Sequence, residues 1–178
     1  MSTENVKKLE IGINKAAFGE GLSENANRDE MQLAIDEGMA LEEEAMRSGD
    51  IDVLERAFDY FLEESPDNGL GNGVCETLMD DIFRYFTMDQ VLNAIYNRLD
   101  KLIKFNISRA VQFVGAGLNT RNFEKVRKIF NTTKSSKSKE FLDEFEDWYK
   151  EDYPKEIEIL RKDMQDWNSQ LEIPLKEE

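Results

Sequence analysis

Apolar residues in this chain recur at steps of three and four and nowhere sustain a step of two, so the chain can build amphipathic helices and has no pattern for a sheet. In 50–64, Ile51, Leu54, Ala57, Phe58, Phe61 and Leu62 fall on one stripe, with Asp50 placed to cap the helix. From Val74 the spacing continues through Leu78, Ile82, Tyr85 and Phe86, while Glu76, Asp80 and Arg84 fall opposite. Thr87-Met88-Asp89-Gln90 reads as a capping box, in which hydroxyl and amide each satisfy a backbone N–H that the first turn leaves unpaired. The helix it opens buries Val91, Leu92, Ile95, Leu99, Leu102 and Ile103.

Asn106 or Ser108 starts the next helix, with Ala110, Val111, Val114 and Leu118 in register and Gly115 and Gly117 weakening its end or permitting close helix contact. Thr120 opens another, carrying Phe123, Val126, Ile129 and Phe130, until the pattern stops in the polar stretch NTTKSSKSK. A helix resumes near Ser138 with Phe141, Leu142, Phe145, Trp148 and Tyr149, and Pro154 suits the first turn of the last one, where its missing N–H does no harm. Upstream, Met31, Ile35, Gly38, Leu41 and Ala45 give one more stripe; residues 1–25 are expected to be loosely packed and 172–178 frayed.

These segments amount to an all-α chain of eight or nine helices, and 178 residues suit a single domain over 1–178. The starts at Asp50, Thr87 and Thr120 lie 37 and 33 residues apart, each opening a helix followed by a second. That spacing suits stacked helical hairpins of a HEAT-like α-solenoid, with an irregular helical bundle as the alternative.

Charge narrows the function. The chain has 38 acidic and 23 basic residues, a formal charge of -15, and no histidine. Bare nucleic acid and anionic membranes repel such a chain, and a basic partner is favoured. Without imidazole there is no Ser-His or Cys-His nucleophile pair, no HExxH zinc site and no carboxylate-histidine di-iron bundle. One cysteine, Cys75, cannot staple a fold, so a reducing compartment is expected. No apolar run reaches the ~18 to 20 residues of a membrane span, and the opening MSTENVKKLEIGINKAAF lacks a signal-peptide apolar region, which points to the cytoplasm.

The charge is segregated. Residues 1–72 carry 18 acids and 6 bases, and 140–178 carry 14 and 5, whereas 106–139 carry 8 bases and only Glu124 as an acid. The acidic clusters are solvated faces or surfaces addressed to a basic partner, and the basic middle neutralises neighbouring helices or binds a phosphate backbone. Arg121, Lys125, Arg127, Lys128 and the lysines of the polar stretch would carry RNA binding, but that loop has no aromatic residue for bases to stack on.

No motif assembles a catalyst. Gly69-Leu70-Gly71-Asn72-Gly73 has neither the spacing of a phosphate loop nor the ligands of a calcium loop, and reads as a connector. Glu42-Glu43-Glu44, Asp80-Asp81 and Asp143 to Asp147 offer carboxylates, but neighbours on a helix point about 100° apart and do not converge on one atom. Cys75 has no base and is expected to be buried; Trp148, Tyr149 and Trp167 sit at core spacing, with an exposed edge available as an anchor. No enzyme activity, cofactor or metal is expected.

The stretches GDIDVLERAFDYFLEES, DDIFRYFTMDQVLNAIYNRLDKL and NTRNFEKVRKIF, within 30–170, resemble the helical immunity proteins of bacterial contact-dependent growth inhibition and related polymorphic toxin systems. The resemblance implies a cytoplasmic inhibitor that binds the toxic C-terminal domain of a cognate secreted effector, often a basic nuclease. If hairpins stack, the second helix of each pair lines one surface, which makes Glu76, Asp80, Arg84, Asp143, Glu146 and Asp147 the candidate partner-binding residues. The alternatives are an acidic helical-repeat adaptor or phage-type mimic of nucleic-acid charge, and an RNA-associated protein using 106–139.

Overall fold

The computed structural model describes residues 3–63, 73–119, 121–133 and 137–171 and holds ten helices among them, with no strand. They are α1 (Glu4–Phe18), α2 (Arg28–Arg47), α3 (Ile51–Glu63), α4 (Val74–Tyr85), α5 (Met88–Tyr96), α6 (Leu99–Phe105), α7 (Ile107–Gly115), α8 (Phe123–Thr132), α9 (Ser138–Tyr149) and α10 (Pro154–Leu171). The count exceeds the expected eight or nine because the run from Thr87 to Ile103 is two helices, not one. A tight bond from Arg98 N–H to the Ile95 carbonyl, 2.8 Å, closes α5 before α6 begins. No helix of the described residues is long and apolar enough to cross a membrane.

Packing divides the chain into two compact units, Met1–Ala94 and Ile95–Glu178, where length alone suggested one domain. In the first, each of α1 to α4 touches the other three. The N-terminal segment is not loosely packed: Thr3 caps α1 by accepting from Val6 N–H, Gly19 ends it at φ 64°, and Leu9 and Ile13 are fully buried. α1 and α2 approach so closely at Gly12 and Gly38 that neither position has room for a Cβ. A Cβ on Gly38 would lie 2.6 Å from the Ala16 nitrogen and the Gly12 carbonyl oxygen, and one on Gly12 would lie 2.7 Å from the Glu42 nitrogen. Lys8 with Glu44 and Lys15 with Glu37 pair the two helices on either side of this contact, and Glu10 holds Arg56 of α3 at 2.9 Å.

The expected stripe of α2 is rotated in the structure. Met31 is exposed, and the buried face runs through Ala34, Gly38, Glu42, Ala45 and Met46, because the glycine contact sets which side of α2 turns inward. The stripe of α3 is as expected in Leu54, Ala57, Phe58 and Phe61, while Ile51 in its first turn is exposed.

In the second unit α7 packs on α6 and α9, and α10 on α8 and α9. Phe130 stacks on Phe141 and meets Phe145 edge-on, both at 4.9 Å between ring centroids. Asn106 caps α7 by accepting from Arg109 N–H at 3.1 Å, and Pro154 opens α10. Gly115 leaves a slot that the Tyr149 ring of α9 fills, so close that a Cβ there would lie 2.1 Å from the ring. Burial in this slot pushes the Tyr149 phenol above its ordinary pKa. Gly115→Ala is expected to cost about 1–3 kcal/mol and, by turning the ring out, to bring the Tyr149 titration back toward ~10; phenolate absorbance against pH reads both ring and base.

Thr120, the Gly69 to Asn72 stretch, Lys134 to Ser136, and the tail 172–178 lie outside the described residues, as does the side chain of Trp167.

Candidate functional site

α2 and α4 each present one face to a shared cleft. Asp36, Met39, Ala40 and Glu43 share one face of α2, with residues three or four places apart stacked along it, as do Thr77, Asp80, Asp81 and Arg84 on α4; together they line a hollow of about 380 Å³. Four of its lining side chains are carboxylates and one is a guanidinium, so the field inside the cleft is negative.

The carboxylates are held differently. Glu43 accepts from the Tyr85 hydroxyl at 2.6 Å and from Arg47 at 2.9 Å, and these bonds hold its pKa below the usual range. The Tyr85 ring lies within 6.0 Å of both the Arg47 and Arg84 guanidiniums. Asp36 accepts from Gln32 at 2.9 Å one turn earlier. Asp80 is exposed and has no ion-pair partner among the described residues. Asp81, only 3% exposed, accepts from Arg84 at 3.0 Å.

Behind the lining stands Glu42, 2% exposed and with no donor to either carboxylate oxygen. Its partner is Asp81. Burial first, then the charge of Asp81, raises the Glu42 pKa to about 8, so at neutral pH Glu42 keeps its proton and donates it to the Asp81 carboxylate. Burial also raises Asp81, against the pull of Arg84. The result is a buried acid pair, Glu42 and Asp81, joined to the exposed Arg84 guanidinium, and the three carry no net charge when one proton sits between the acids.

No family model matches this chain, and no curated protein or solved structure matches it either.

The six residues singled out in the sequence fall in both units. Glu76, Asp80 and Arg84 are exposed on α4 of the first, and Arg84 is committed to Asp81. Asp143 and Asp147 are exposed on α9 of the second, Asp147 paired with Lys150 at 3.0 Å, and Glu146 is half-buried and paired with Arg161 of α10. The structure joins Asp80 and Arg84 in one cleft with three α2 or α4 carboxylates that the sequence did not single out as partner-binding: Asp36, Glu43 and Asp81. Trp148, expected to be largely internal, is 51% exposed at the last turn of α9, because Tyr149 rather than Trp148 turns onto Gly115. Cys75 is buried.

The basic middle is partly used up internally. Arg127 grips Asp163 with two bonds of 2.5 and 3.0 Å, and Lys128 lies over the Tyr96 ring at 5.4 Å. Among the described residues no group of three or more acidic or cysteine side chains is placed to hold a metal ion.

Proposed function

We propose that this chain is a non-enzymatic immunity protein of the cytoplasm that neutralises the toxic domain of a secreted bacterial effector by one-to-one binding. The observation that carries this reading is the α2–α4 cleft, where Asp36, Glu43, Asp80 and Asp81 are fixed on two packed helices with one guanidinium among them. A nuclease must present Lys and Arg to phosphates. Carboxylates set on rigid helices can take those cations in place of the phosphates, with the surrounding charge steering the approach and excluding acidic partners. In the other unit, Asp143 and Asp147 on α9, with the half-exposed Trp148 beside Asp147, offer a separate negative face that carries an aromatic anchor. We further propose that the helices within each unit pair as stacked hairpins.

The RNA-binding alternative is disfavoured by Arg127, whose charge is spent on Asp163.

The test is binding to a purified toxin domain encoded beside this chain's gene. Asp36→Lys with Asp80→Lys is expected to weaken affinity at least tenfold, about 1.4 kcal/mol, mostly through slower association at low salt. Asp143→Lys with Asp147→Lys examines α9 in the same way. Unchanged affinity in all four reversals overturns the assignment of these faces, and catalytic turnover by the purified chain overturns the immunity reading itself.

A further inference from the structure

The end of the α1–α2 hairpin carries a second surface, unrelated to the α2–α4 cleft. α1 closes at Gly19 in the left-handed conformation, and the connection folds back on itself through bonds from Leu22 N–H to the Gly19 carbonyl and from Ala26 N–H to the Ser23 carbonyl, each 3.0 Å. Leu22 is half-buried between two hollows of about 350 and 290 Å³ and lines both. Phe18 and Met31 line the first, and Leu33 lines the second. These three side chains are 65%, 48% and 58% exposed. Single apolar residues on a surface need no explanation, but three of them set around two adjoining concavities form a patch.

We infer that this hairpin end docks an amphipathic, basic helical segment of a partner protein. The rim chooses the occupant. Glu20, Glu24, Glu30 and Glu37 surround the two hollows, and the one cation that lines both, Lys15, is tied to Glu37. A second copy of this chain would bring the same acidic rim against itself, and an anionic membrane would be repelled. A helix with apolar side chains at three- and four-residue spacing and Lys or Arg along its flanks satisfies both parts of the surface: its apolar stripe enters the hollows on either side of Leu22, and its cations meet the glutamates. The inference concerns different side chains from those proposed for toxin binding and does not depend on that proposal.

The probe is a 14-residue peptide of Leu and Lys with all its leucines on one helical face, titrated at ~0.15 M salt, where long-range attraction between exposed charges is largely screened, into the full isotope-labelled chain and followed by NMR. Controls are the same composition scrambled to abolish the face, and a Leu/Glu peptide that keeps it. The expected result is saturable binding of the first peptide alone, with shifts centred on Phe18, Leu22, Met31 and Leu33. Phe18→Ser with Leu33→Ser should weaken it at least tenfold. Both side chains are exposed, and an unchanged circular-dichroism melt shows that folding is intact. Equal binding of the scrambled peptide, shifts centred elsewhere, or undiminished binding by the double variant overturns the inference. So does sedimentation showing a dimer that the double variant abolishes, which would make a second copy the occupant.

Discussion

Gly38→Ala is expected to lower the stability of the N-terminal unit by about 2–3 kcal/mol, the range in which added methyl groups strain a packed interior. On an open helix the same change would stabilise by ~1 kcal/mol, since glycine is the poorer helix former. Here the sign reverses, because the new methyl group meets backbone on both sides, the Ala16 nitrogen and the Gly12 carbonyl oxygen, each at 2.6 Å. A side chain could rotate away, but a backbone can yield only if α1 as a whole moves off α2, and that movement loosens Leu9 and Ile13 as well. For a unit of this size the loss corresponds to a drop of roughly 10 °C or more in melting temperature. A calorimetric melt of the variant equal to or above the parent would show that the two helices are not held at this spacing.

The second large effect concerns pH. Glu42 binds its proton in the folded state up to about pH 8 and in the unfolded chain only to about 4.5. Below the lower value both states hold the proton and stability is at its full level. Between the two values only the folded state holds it, so the unfolding free energy falls as pH rises, by up to ~1.4 kcal/mol per pH unit. Above about pH 8 the loss is complete, and the ionised Glu42 and Asp81 share one guanidinium, Arg84. Glu42→Gln keeps a donor for Asp81 and has nothing to ionise. It should match the parent at the acid end of the range and exceed it by a margin that widens as pH rises toward 8 and then levels off, as read from urea melts between about pH 4 and 9. Parallel profiles for the two proteins would refute the shared proton.

What could be read from the sequence follows from how far apart the interacting groups lie. The caps at Asp50, Thr87 with Gln90, and Asn106 were legible because a cap bonds residues two or three places on, and the structure shows each: Asp52 N–H to Asp50, Thr87 N–H to Gln90, Arg109 N–H to Asn106. The stripes of α3 and α4 were legible for the same reason of local repetition. α1 was present as Val6, Leu9, Ile13 and Ala16 between Thr3 and Gly19, but three lysines and a glycine within it blurred the pattern. The candidate site was hardest. A glutamate at an inward position violates hydrophobic patterning, and Glu42 stands in the stripe between Gly38 and Ala45 only because Asp81, 39 residues on, stands opposite it. Dismissing Glu42 to Glu44 and Asp80-Asp81 because neighbours diverge was sound for each run taken alone. It missed that one acid from each run meets across two helices, which no single-helix spacing can reveal.

The two ion pairs that flank the glycine contact advance together, Lys8 to Lys15 being seven residues forward on α1 and Glu44 to Glu37 seven residues back on α2. Seven residues are close to two turns, so both bridges lie along one seam. A single residue gained or lost between them would rotate everything beyond it by about 100° and bring the wrong faces together. A residue added in the bend from Gly19 to Asn27 would instead change what the hairpin can hold without dephasing the helices that support it.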